Sequence, residues 1–234
     1  MITDEIVQRS PVRVFEKSIQ GGLQSGEIGI IASPSGIGKT SVLVQLALDK
    51  LLQGKKVIHV SFTQHTDYVI SWYENIFEEL FKKRNVVDIK DLKGELVKNR
   101  VLMNFNQEGV TSEQINRSLR AMIIEGGFKA ESIIVDGLDF SRADRARFAE
   151  TRAFAAEMGL SVWYSCNLQS KEPQYDKQRL PLIIKDYVDL LDVVITLEPK
   201  QDHIALMVSK DHDAYNPQTP PLRLDHRTLL ILEG

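Results

Sequence analysis

The clearest chemical signal in the chain is Ser33-Pro34-Ser35-Gly36-Ile37-Gly38-Lys39-Thr40-Ser41. It follows the spacing G-x-x-x-x-G-K-[ST], with Ser33 in place of the first glycine. Holding a row of phosphates needs several backbone N–H groups turned inward, and Gly36 and Gly38 let the chain curl that tightly. A helix opening at Lys39 would add the partial positive charge of its N-terminus. In that frame Lys39 reaches the β- and γ-phosphates, Thr40 offers its hydroxyl to Mg²⁺, and Ser41 touches the α-phosphate. A second feature is Glu131 to Phe140, ESIIVDGLDF, a short apolar run ending in an acid. Asp136 at the carboxyl end of such a strand is placed to hold Mg²⁺ through water. Asp139 is a second acid there, but a surface turn explains it better.

The elements that must position these residues alternate. Strands are expected over 27–32, 56–62, 100–105, 132–135 and 160–165. Helices are expected over 39–52, 67–83, 112–124 and 145–158, each with apolar residues at helical spacing. Gly54 and Gly159 stand where helices usually stop. After residue 165 the character changes: 193–197, 203–209 and 228–232 read as strands with short connections. The fold expected is α/β, three layers with helices on both faces of a mainly parallel sheet, and antiparallel strands at the C-terminal end. No Gly/Ser linker divides the chain, so residues 1–234 are expected to form a single domain.

The loop, the acid strand and their spacing resemble the RecA superfamily of P-loop ATPases, most closely its KaiC and replicative-helicase branch. The lead-in Phe15 to Gly29, FEKSIQGGLQSGEIG, is similar to that branch's approach to its first core strand. Asp136 takes the place of the Walker B acid. Ser209-Lys210-Asp211-His212 resembles the finger that such subunits project into a neighbour's site. The resemblance implies binding of ATP with Mg²⁺ and a catalytic set drawn from Gln64, Lys210 and His212. It also implies a homo-oligomer or a pairing with a related ATPase subunit. Three positions depart from the family. Thr63 and Gln64 stand where a glutamate is expected, and the nearest carboxylate is Asp67. His212 replaces an arginine, and an unperturbed imidazole is mostly neutral at pH 7. Cys166-Asn167 replaces a sensor glutamine. Together they imply that binding is kept and hydrolysis is slow or absent. Two functions therefore stay open, a regulatory or motor ATPase and a non-hydrolysing adaptor whose ATP site controls subunit association. A recombination factor for single-stranded nucleic acid is a weaker third.

Composition narrows the field further. The chain has 234 residues, 43% apolar and 26% charged, a balance typical of globular proteins. Its net charge of −3 argues against a polybasic coat for nucleic acid or membrane. Cys166 is the lone cysteine, which excludes an intrachain disulfide. The start MITDEIVQRS carries acids where a signal peptide has a basic region, and no apolar run is long enough for a membrane span. A soluble, cytoplasmic protein is expected. No N-K-x-D segment is present to read guanine, so ATP is preferred to GTP. Leu168 to Ile183, with Lys171, Tyr175, Lys177 and Arg179, occupies the place of a nucleic-acid loop but reads more readily as a surface loop. The cluster Arg142, Arg145, Arg147 and Arg152 reads as a solvated helix face or subunit contact. The five histidines share no metal-ligand spacing.

Overall fold

The structure, a computed structural model, describes residues 7–8, 10–62, 65–82, 89–169, 173–215 and 218–234. Nine strands join one sheet: β1 (Ile28–Ser33), β2 (Lys56–Ser61), β3 (Arg100–Asn104), β4 (Ala130–Asp136), β5 (Ser161–Asn167), β6 (Val193–Pro199), β7 (Ile204–Asp211), β8 (Leu222–Leu224) and β9 (Ile231–Glu233). Their order is β3-β2-β4-β5-β1-β6-β7-β8-β9. The first six in that order pair in parallel, and β6 through β9 pair antiparallel. This is the α/β architecture expected from the alternation, consistent with a Rossmann-like or P-loop fold.

Helices α1 (Pro11–Lys17), α2 (Lys39–Leu52), α3 (Thr66–Phe81), α4 (Ile89–Lys98), α5 (Ser112–Arg120) and α6 (Arg145–Met158) cover the sheet. One core gathers residues of α1 to α4 and the inner side of β7 to β9. The other lies under α5, α6 and a 3₁₀ segment, Leu182–Leu190. Because both faces are covered, β1 is buried at all six positions, which is why its sequence runs apolar without alternation. Gly29 is required by a close approach. A Cβ there would stand 2.4 Å from the ring of Trp163, its register partner on β5.

The caps follow local chemistry. Thr111 and Gln114 form a reciprocal capping box at the start of α5, which runs on as a π-helical turn, Ala121–Glu125. Asp144 caps α6, and Gly159 ends it at φ 70°. Four elements depart from the expectation, the short β8 among them, for which no strand was expected. α1 opens with Ser10 as cap and Pro11 in its first turn, a start signal in plain view. α4 falls where no helix was expected. The strand expected at 228–232 begins only at Ile231. The Asp225 carboxylate accepts from the backbone of Arg227 and from the backbone and hydroxyl of Thr228, and that turn holds the preceding residues out of the ladder. β6 and β7 are joined by only residues 200–203, too short for a crossover, so they pair antiparallel.

Candidate functional site

β1 ends at Ser33, and the chain curls through 34–38 into α2. Gly38 is the helix cap at φ 110°, ψ 15°, a left-handed conformation that side chains rarely adopt, and Gly36 has φ 81°. No side chain caps this helix start. The first intrahelical bond runs from the amide of Val42 to the carbonyl of Gly38. The amides of Lys39, Thr40 and Ser41 therefore precede the helical ladder, as at any helix start. Ser35 and Gly36 are exposed, whereas Ile37 packs onto the α1–α4 core and anchors the loop.

Lys39 folds back over the loop. Its Nζ donates to the carbonyls of Ser33 at 2.9 Å and Pro34 at 2.8 Å, and stands 3.4 Å from the Ser33 hydroxyl. Burial pulls its pKa down, while the nearby Cys166 and Asp136 pull the other way. Cys166 is buried, and burial pushes its thiol up to about 12, so it is packing and not a nucleophile.

The acid strand meets this loop across an intervening strand. β5 lies between β1 and β4, yet Thr40 Oγ1 donates to Asp136 Oδ2 at 2.8 Å. Asp136 is only 5% exposed. Beneath it on β2, burial pushes His59 down to about 4; its Nδ1 faces the Tyr73 hydroxyl at 3.1 Å. The chain beyond Asp136 is held by side chains from two other strand ends. The Gly137 amide donates to Ser165 Oγ at 3.0 Å, and Gln107 bonds to both Gly137 and Asp139. Asp139 accepts from the backbone and hydroxyl of Ser141 and so caps the short 3₁₀ turn Phe140–Arg142.

A cavity of about 480 Å³ opens above these groups. Ser35, Gly36, Gly38, Lys39, Thr40 and Asp136 line it on one side; Tyr68 and Trp72, an edge-to-face pair on α3, stand on another. Gln107, Asn167 and Leu229 also reach it. Apart from Asn167, these outer walls carry no local sequence signal, because they come from separate parts of the chain. Ser41 takes a different direction. Its hydroxyl donates to the Leu229 carbonyl at 2.7 Å, and Gln45 donates to the same carbonyl at 2.9 Å.

The remaining expected residues lie elsewhere. Gln64 and Thr63 fall outside the described residues. Lys210 and His212 lie at the other end of the strands from the loop, level with the start of β1. Lys210 is buried, donates to the Leu191 carbonyl and lies 5.4 Å from the Tyr215 ring centre. His212 faces Asp211 through Nδ1 at 2.7 Å and Glu27 through Nε2 at 3.2 Å. Burial lowers its pKa, but hydrogen bonds to Asp211 and Glu27 and their charges more than offset it, so the pKa is raised. The imidazole is therefore not the unperturbed one that the sequence alone implied. No helix among the described residues is long and apolar enough to cross a membrane. No family model and no curated protein matches this chain.

Proposed function

We propose that the chain binds ATP with Mg²⁺ as a RecA-like protein of the KaiC type, and that it is a slow ATPase acting as a regulatory or motor subunit. The observation that carries this reading is the 2.8 Å bond between Thr40 and Asp136. Ninety-six positions separate them in sequence, yet the fold brings a hydroxyl and a carboxylate together beside a helix N-terminus and a lysine. Mg²⁺ prefers oxygen ligands and keeps several waters, taking one or two protein groups along with substrate phosphates. The Thr40–Asp136 pair fits that demand. Among the described residues no cluster of three or more His, Cys, Asp or Glu side chains offers another metal site. The glycine loop supplies inward amides, Lys39 supplies positive charge to the β/γ end, and Asp136 is held for the ion.

The non-hydrolysing adaptor remains a second reading because of where the finger residues sit. Lys210 is engaged by Leu191 and Tyr215, and His212 by Asp211 and Glu27, so both side chains are already held within their own chain. A nucleic-acid role gains no support. Arg145 pairs with Asp189 and Arg152 with Asp192, which neutralises half of the arginine cluster.

Calorimetric titration of parent and Lys39→Ala with Mg-ATP tests the reading, alongside ATP turnover. Binding by the parent, its loss in the variant with unchanged circular dichroism, and turnover below ~1 s⁻¹ are expected. Equal affinity in both proteins refutes the phosphate-site assignment. Brisk turnover by the parent removes the adaptor and refutes the slow rate.

A further inference from the structure

Asp136 can serve a metal only if the chain that follows it stays in place, and that chain leaves the sheet immediately. The Phe62 amide still donates to the Asp136 carbonyl at 2.9 Å, and Gly137 follows at φ 82°, outside the strand region. Two side chains replace the missing ladder. The Gly137 amide donates to Ser165 Oγ at 3.0 Å. Its carbonyl accepts from Gln107 Nε2 at 2.8 Å, and the same side chain accepts from the Asp139 amide through Oε1 at 2.7 Å. A carbonyl needs a donor and an amide needs an acceptor, so these two partners fix which end of the Gln107 amide is nitrogen. Gln107 comes from the segment after β3, the far edge of the parallel sheet, and reaches the chain that continues β4 past β2.

We infer that Gln107 is a positioning residue for the metal-nucleotide site: its amide clamps the 137–139 backbone and thereby holds the Asp136 carboxylate against Thr40. Asp136 is the last residue of β4, one peptide from the clamped carbonyl. Thr40 approaches from the other side at 2.8 Å. The carboxylate therefore stands between a helix start and a pinned turn, each fixing one end of its position. Outer partners of metal-binding carboxylates orient the ligand, and their removal typically weakens metal affinity 10–100-fold. The inference rests on the nucleotide reading for its ligand, but the clamp itself does not.

Two variants separate the possibilities. Gln107→Ala removes both bonds. Gln107→Glu keeps the shape and the acceptor for Asp139, but sets a carboxylate oxygen against the Gly137 carbonyl. Amide hydrogen exchange on the nucleotide-free chain should show faster exchange at Asp139 in Gln107→Ala, and little change there in Gln107→Glu. ATP titrations at varied Mg²⁺ should then show the Mg²⁺ needed for half-maximal binding raised about tenfold in both variants. In EDTA the ATP affinity of Gln107→Ala should fall by a smaller factor than it does with Mg²⁺, because the loss falls on the metal ligand. Unchanged exchange at Asp139 in Gln107→Ala overturns the clamp. Faster exchange with an unchanged Mg²⁺ requirement overturns the positioning role. A parent chain that binds no Mg-ATP overturns the nucleotide reading, and the positioning role with it, while the exchange result still decides the clamp.

Discussion

Thr40→Val perturbs the contact that joins the two halves of the site. Valine keeps the branched shape and removes the hydroxyl that donates to Asp136 at 2.8 Å. The acceptor is a carboxylate only 5% exposed, so little water can replace the lost donor. Hydrogen bonds to charged groups contribute about 1.5–3 kcal/mol. For 234 residues the unfolding entropy is about 0.5 kcal/mol/K, at ~2.1 cal/mol/K per residue. The melting temperature without nucleotide should therefore fall by roughly 3–6 °C. Differential scanning calorimetry reads this directly, and a cycle with Asp136→Ala isolates the pair. In the Asp136→Ala background the same substitution should cost within about 0.5 kcal/mol of nothing. With ligand at a hundred times its Kd, the parent should gain about 2.7 kcal/mol from Mg-ATP, and Thr40→Val should gain less. A fall below ~1 °C together with an additive double mutant would refute the contact, and with it the observation that carries the functional reading.

Three further outcomes are expected. Gly29→Ala places a methyl 2.4 Å from the Trp163 ring in the middle of the sheet, and should cost about 1–3 kcal/mol with a shifted tryptophan fluorescence spectrum. Both ring nitrogens of His212 face carboxylates, which suits the doubly protonated ring, and its pKa is raised. Its stabilisation is present in full below the unfolded-state pKa of about 6.5 and is lost as pH rises through the higher folded-state value, so thermal melts of His212→Gln should lie below the parent at pH 6 and converge with it on the alkaline side. If nucleotide bridges subunits, light scattering at tens of micromolar should show larger particles with Mg-ATP than without; a monomer in both conditions would argue against the oligomer.

Much of the fold can be read along the chain because its signals are local. The loop 33–41 states its own chemistry through glycines, a lysine and a hydroxyl at fixed spacing. β4 ends in Asp136 as its pattern predicts, and Gly159 stops α6 with a left-handed residue. Ser10-Pro11 was an equally local signal for α1 that the apolar pattern alone did not expose. What adjacent residues cannot encode is which strands become neighbours and which side chains meet across them. The insertion of β5 between β1 and β4, the Thr40–Asp136 bond, the hold of Gln107 on Gly137 and the turning of Ser41 toward Leu229 each depend on residues dozens of positions apart. Lys210 and His212 make the same point from the other side. Their types suit a phosphate of a neighbouring subunit, and it is the short β6–β7 connection, carrying β7 back antiparallel, that decides which groups of their own chain they meet. Backbone preference and capping act within a few residues, so the sequence by itself determined most of the elements and the pattern of the loop. Packing of the whole chain chooses the lowest-energy arrangement of those elements, and only that choice decided which of the reactive side chains share a site.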